Sequence, residues 1–276
     1  MSKRKLYIVA TPIGNLGDIS ERAVEILNSV TLIAAEDTRY SGKLLNHYRI
    51  NTKMISLHEH NEKVQHEKII QRLLQGESVA LISDSGTPLI SDPGYQLVSA
   101  AKKQDIEVIP IPGPCAAIVA LSASGLPTDK FIFEGFLSSK QHARSERLKL
   151  LTNESRTMIF YEAPHRIIPL LEDMLQVFGS NRYVVLSREL TKIHETIHGD
   201  SLQKLLSWIK DNSEQQRGEF VVLVSGKKAH IKQDITNEDL QMLQLLAKEL
   251  PLSKAASIAA KITGKKKSMF YKKSKG

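Results

Sequence analysis

The 276-residue chain has a single cysteine, Cys115, and no apolar run that approaches membrane-spanning length. One cysteine excludes an internal disulfide and accords with a reducing cytoplasm. No Cys/His cluster has zinc-site spacing, so no metal is expected. The opening residues, Met1-Ser-Lys-Arg-Lys5, lead into a strand and not into the apolar core of a signal peptide. Acidic residues are missing from one stretch. Residues 250–276 hold eight of the 38 basic residues and none of the 30 acidic ones, so the rest balances at 30 against 30. The net charge of +8 therefore sits in the tail, as in an arm that meets nucleic-acid phosphates.

Short apolar runs alternate with helix-period stretches over the first 125 residues. The runs Leu6–Ala10, Thr31–Ala35, Lys53–Leu57, Val79–Ile82 and Ile106–Ile111 read as strands, which predicts a parallel α/β domain with right-handed crossovers. The helix at Ala116–Ala123 is small and apolar throughout, so burial is expected. Strands cluster more closely after Gly125-Leu-Pro127, so residues 126–235 are read as a second, mixed α/β domain. Residues 236–276 are expected to form a small helical, lysine-rich module, with Gly264 stopping its second helix.

Three loops rich in Gly, Pro, Ser and Asp follow strands of the first domain: Thr11–Ser20, Ser83–Gly94 and Pro112–Ala116. A parallel sheet would bring them to one edge, where such sheets bind ligands. None is a G-x-x-x-x-G-K phosphate cradle or a G-x-G-x-x-G fingerprint. A pocket of backbone and small side chains, with Asp84 as a fixed charge, suits a zwitterionic or cationic small molecule. In the second loop Asp92 reads as an N-cap, with Pro93 at the first helical position. Asp37 reads equally as a cap or as an acid-base group. His58-x-His60 is read as an RNA contact or polar rim before a metal pair. Arg188-Glu189 and Arg217-x-Glu219 read as ion pairs stitching the second half.

The ordered motifs T-P-I-G-N-L-G-D, A-E-D-T-R, H-E-H-N-E, S-D-S-G-T-P-L-I-S-D-P-G, P-G-P-C-A, F-E-G-F-L, Y-E-A-P-H-R and R-G-E resemble the tetrapyrrole-methylase-fold methyltransferases. Within them they resemble the branch that methylates the ribose 2′-hydroxyl of a cytidine in the decoding region of 16S ribosomal RNA. The resemblance implies two α/β domains with a cleft between them, a homodimer, and S-adenosylmethionine as methyl donor. It carries donor contact onto Pro12, Gly14, Asp84, Gly86, Thr87, Pro88, Cys115, Ala116, Tyr161, Glu162, Ala163 and Pro164. Ser85 and Ser138 depart from the alanine and proline usual at those places. Asp37 and His165 are the candidate bases. RNA contact is expected from Arg39, His58, His60, Lys140 and Arg166, and from Lys254, Lys261, Lys265, Lys266, Lys267, Lys272 and Lys273. A tetrapyrrole methyltransferase would need no lysine arm, and a non-catalytic RNA-binding assembly factor would need no cleft.

Overall fold

A computed structural model describes residues 5–58, 61–227 and 235–273. His60 lies outside them, and the side chains of Lys272 and Lys273 are not described. The chain divides into two compact units, residues 1–227 and 228–276.

The larger unit opens with five parallel strands: β1 (Lys5–Val9), β2 (Leu32–Ala35), β3 (Met54–Ser56), β4 (Ser78–Ile82) and β5 (Glu107–Ile111). Their order is β3-β2-β4-β1-β5. Between and after them run α1 (Glu21–Ser29), α2 (Thr38–His47), α3 (Glu62–Leu74), α4 (Tyr95–Lys103) and α5 (Ala116–Ala123). The pleat sorts the continuous apolar runs onto two faces. Leu32, Ala34, Val79 and Leu81 pack with Ile69, Leu73 and Leu97 on the α3/α4 side. Ile33, Ala35, Ala80 and Ile82 pack with Ala23, Leu27 and Leu45 on the α1/α2 side. Ser20 Oγ accepts the Ala23 N–H at 3.1 Å and caps α1.

A second sheet has the order β6-β7-β10-β8-β9, from β6 (Phe131–Phe136), β7 (Thr157–Glu162), β8 (Tyr183–Arg188), β9 (Thr196–Ser201) and β10 (Phe220–Val224). Only β6 and β7 pair in parallel; the other neighbours are antiparallel. One face is covered by α6 (Gln141–Leu150), α7 (Ile167–Phe178) and α8 (Leu202–Asp211). A buried Arg144–Asp173 ion pair, 2.6 Å from Nε to Oδ2, ties α6 to α7. The other face packs Ile159, Val185, Val221 and Leu223 against Ala117, Ala120 and Leu121 of α5. Helix α5 thus belongs in sequence to the first sheet and in packing to the second. Its burial is one-sided, contrary to expectation, because Ile118 stays 49% exposed.

The smaller unit contains α9 (Asn237–Glu249), α10 (Leu252–Thr263) and α11 (Lys267–Lys273). Thr236 and Asp239 form a reciprocal capping box at the start of α9. Ala255, Ala256 and Ala259 are buried with Leu243 and Phe270, small side chains that let the helices approach closely. Gly264 ends α10 at φ +70°.

Candidate active site

The three glycine- and proline-rich loops follow β1, β4 and β5, which are neighbours in the sheet, so they meet at its carboxyl edge. They are laced together through their backbones. Thr11 N–H donates to Gly86 O at 2.8 Å, and Gly86 N–H returns a bond to Thr11 O at 3.1 Å. Thr11 Oγ1 donates to Ser83 O at 3.1 Å, and Thr87 Oγ1 donates to Pro114 O at 2.8 Å. Gly86 holds φ +86°, a conformation that side chains disfavour.

These loops form one side of a cavity of about 430 Å³. Ser85, Gly86, Thr87 and the turn Ile90–Asp92 supply that side, and Cys115 and Ala116 continue it. The second sheet closes the other side with Phe136, Tyr161, Glu162, Ala163, Pro164, Leu190 and residues 219–221. Tyr161 is fixed because its hydroxyl accepts the Ala117 N–H at 3.1 Å across the two halves. Burial pushes its phenol well above the ordinary value.

Asp92 is the carboxyl of the loop side. Burial pushes it up to about 7, and the Glu36 and Asp84 carboxyls add to the shift while a Ser83 hydrogen bond opposes it. Glu162 is also raised by burial, with Arg166 working against the shift from 3.1 Å.

Of the sequence-predicted donor residues, Gly86, Thr87, Cys115, Ala116, Tyr161, Glu162, Ala163 and Pro164 line this one cavity. Pro12, Gly14, Asp84 and Pro88 are not in its lining. Asp84 Oδ1 instead accepts the Asp37 N–H at 3.0 Å, joining the second loop to the end of β2. A Cβ on Gly14 would lie 2.5 Å from Lys192 Cγ, so glycine there lets the first loop meet the 189–195 segment. Pro88 is buried.

Asp37 caps α2, and its carboxylate is held by Arg39 at 3.0 Å from Nη2. That arginine's side chain, then its backbone N–H, holds the carboxyl down at about 2. A carboxylate so stabilised is a weak proton acceptor, and it does not line the cavity. His165 is exposed in a turn beside the cavity residue Pro164. The expected N-cap at Asp92 is corrected: α4 begins at Tyr95 with Gly94 as cap at φ +120°, which leaves Asp92 to face the cavity.

The expected RNA contacts divide. Lys140 is exposed at the start of α6, and Arg39 is exposed though paired with Asp37. Arg166 faces inward, with Nη2 donating to Leu137 O at 2.5 Å and Nε beside Glu162. His58 is half-buried, and its N–H donates to Asn61 Oδ1 at 2.9 Å. Lys254, Lys261, Lys266 and Lys267 are exposed on the smaller unit. Lys265 is a correction: its ammonium is buried against the Asp239 carboxylate and is not available to phosphate. The expected Arg188–Glu189 stitch is also different. Arg188 donates to the carbonyls of Arg217 and His194 at 2.7 and 2.8 Å, while Lys192 pairs with Glu189 and Glu219 at 2.9 Å each. Among the described residues no group of His, Cys, Asp or Glu could hold a metal, and no helix is long and apolar enough to cross a membrane.

Sequence reasoning missed Phe136, Leu190 and Phe220 as cavity residues, and it gave Asp92 the wrong task. Asp92 had a signal of its own, a second Ser-Asp pair inside one glycine-rich loop.

Residues 5–206 match the Tetrapyrrole (Corrin/Porphyrin) Methylases, the class that two facing sheets and a loop-built cavity define. Residues 233–273 match the RsmI C-terminal HTH domain. The chain belongs to the family of ribosomal RNA small subunit methyltransferase I. The protein of that name from Escherichia coli O157:H7 is 52% identical over 271 residues, covering 98% of this chain and 94% of that one. The one from Pseudomonas aeruginosa is 54% identical over 272 residues, covering 98% and 96%. In three dimensions the chain is similar to cobalt precorrin-4 methyltransferase, an enzyme of cobalamin biosynthesis, with a TM-score of 0.59 at 14% identity over 80% of this chain and 95% of that one. It is similar also to diphthine synthase, with a TM-score of 0.62 at 13% identity over 82% and 91%. At such identities the likeness is one of fold.

Proposed function

We propose that this chain methylates 16S ribosomal RNA of the small subunit, at the ribose 2′-hydroxyl of a cytidine in the decoding region, with S-adenosylmethionine as donor. We place it in the cytoplasm as a homodimer. The observation that carries the reading is a small-molecule cavity built from three loops in a chain whose excess positive charge lies in residues 250–276, within a separate helical unit. The names of its relatives favour the same substrate.

The residues present fit the donor. Ser85, Gly86, Cys115, Ala116 and Ala163 put small side chains and backbone at the wall, so the cavity stays open to a ligand that the main chain can reach. Its volume falls in the range of about 300–1,000 Å³ usual for small-molecule sites. S-adenosylmethionine, when bound, supplies an electrophilic methyl group on a positively charged sulfur.

The chain's own residues supply position and charge. The Thr11–Gly86 and Thr87–Pro114 bonds hold the loops rigid, and such fixed geometry is where much of the rate of a displacement arises. Ile13, Leu190 and Val221 make part of the cavity wall apolar. Asp92, with its carboxyl near 7, is the group able to accept a proton from a hydroxyl at the cavity wall, in place of Asp37. His165, exposed and next in the chain to the lining residue Pro164, is the second candidate base. Lys254, Lys261, Lys266 and Lys267 meet phosphates.

The test is a map of ribose methylation in small-subunit rRNA from cells with and without this protein. One cytidine should lose its 2′-O-methyl group in the deletion. An unchanged map would overturn the reading.

A further inference from the structure

We infer that Phe136 is the platform on which the base of the target nucleotide stacks during methyl transfer. The inference rests on the RNA-methylation reading above and names a substrate contact that the reading does not contain.

The starting point is an irregularity in β6. On a regular strand, residues three apart point to opposite faces of the sheet. Phe133 and Phe136 nevertheless both contact Tyr161 edge-on, with ring centroids 5.0 and 5.5 Å away. The register explains how. Phe133 stands opposite Ile159, Gly135 opposite Phe160, and Phe136 opposite Tyr161, so Glu134 is one extra residue in the strand. Gly135 takes φ +62° at this bulge, and a Cβ there would lie 3.1 Å from Ser91 Oγ of the second loop. The displaced Glu134 is held on the opposite side of the strand by Arg147, at 2.8 Å from Nε. A bulge of this kind re-aims side chains beside functional sites. Here it turns Phe136 from the helix-covered face to the cavity.

The ring is not used to complete the core. Phe136 lines the cavity and remains 55% exposed, whereas Phe133 beside it is largely covered. Tyr161 backs it on one edge, and Tyr161 is itself fixed by the Ala117 N–H. A rigid aromatic ring is therefore offered to solvent at the edge of the cavity.

The occupant follows from the space and the chemistry. A cavity of about 430 Å³ holds one donor-sized ligand, so the acceptor must come in from outside. Sequence-specific proteins meet RNA as splayed, unstacked nucleotides, and a base presented to the cavity in that way gains from an aromatic stacking partner. Phe136 offers a ring face with no hydrogen-bonding group. It supplies affinity and orientation, and leaves the choice of nucleotide to other contacts.

The experiment compares full-length F136A, F136L and F136W on small ribosomal subunits from cells lacking the protein. KM for subunits, kcat, and S-adenosylmethionine affinity by calorimetry are measured separately. F136A and F136L should raise KM for subunits by about five- to 150-fold, the equivalent of about 1–3 kcal/mol of base stacking, with F136W close to wild type. Donor affinity should change far less than KM for subunits in all three variants. Full activity in F136L would mean that the ring only packs on Tyr161, and would overturn the proposal. Lost donor affinity in F136A would assign the ring to the donor, and would overturn it as well. An active wild type with an indifferent F136A defeats stacking alone, whereas a wild type that methylates no RNA defeats the reading beneath it.

Discussion

Glu62 caps a helix that begins at Tyr95: its Oε1 accepts the Gly94 N–H at 3.1 Å, and the Gln96 N–H at the same distance. A carboxylate from the start of α3 thereby fixes where the second cavity loop ends and α4 begins. Glu62 is 7% exposed, so removing it strands two amides with little access to water. E62A should lower the free energy of unfolding by about 1–3 kcal/mol in urea titration. E62Q, which keeps one acceptor oxygen, should recover part of that loss. An E62A protein as stable as wild type would show that water replaces the cap at no cost.

Asp92 gives a pH dependence whose sign differs between stability and binding. Its carboxyl is raised from 3.8 to about 7 in the folded chain, so the neutral form is the favoured one. That stability is fully present below about pH 4 and is lost as pH rises through 7. Thermal unfolding scanned from pH 4 to pH 8 should show the loss in wild type and not in D92N. A cationic donor favours the ionised carboxylate, so its affinity should instead rise through pH 7 with release of a proton. Calorimetry in buffers of different ionisation enthalpy measures that proton, and D92N should release none.

Lysines 265 and 266 are neighbours with opposite tasks. Lys265, and then the Thr236 N–H, hold the Asp239 carboxyl down at about 2. The stability from this pair is present above about pH 4 and is lost as pH falls toward 2. K265A should melt the smaller unit at a lower temperature, read from the helical signal of α9, α10 and α11. K266A should leave that melting alone and weaken RNA binding at low salt.

Deletion of residues 236–276 should flatten the salt dependence of RNA binding. Each phosphate contact contributes a slope of about −0.9 in log affinity against log salt on duplex and about −0.7 on single strand. Donor affinity should be unchanged, because every residue lining the cavity lies within 1–227. A truncated protein with the full slope would move RNA recognition to Arg39 and Lys140.

The cavity loops were legible because glycine and proline punctuate a strict strand–helix alternation. A parallel sheet then has to gather loops after neighbouring strands at one edge. What stayed hidden depends on partners far along the chain. Ser-Asp-Pro reads locally as a cap, and only Glu62, thirty residues earlier, takes that task away from Asp92. A lysine-rich run reads as uniformly solvated, and only Asp239 shows that Lys265 is buried. The bulge at Glu134 is equally silent, because the run from Phe131 to Phe136 fits an unbroken strand, and the extra residue shows only against the register of β7. In each case the deciding atom lies outside the window in which periodicity is read.

The position of β10 sets the order in which the protein can come into being. Among the described residues Phe220–Val224 is the last strand made, yet it is the middle of the second sheet, paired with both β7 and β8 and buried at every residue. The first sheet is complete once residue 111 has emerged and can fold while synthesis continues. The second sheet must wait with its central slot open until residue 224 leaves the ribosome. Phe220 and Val221 also line the cavity, so a nascent chain stopped anywhere before them has the cavity unfinished. The cavity is therefore completed only when nearly all of the larger unit has been translated.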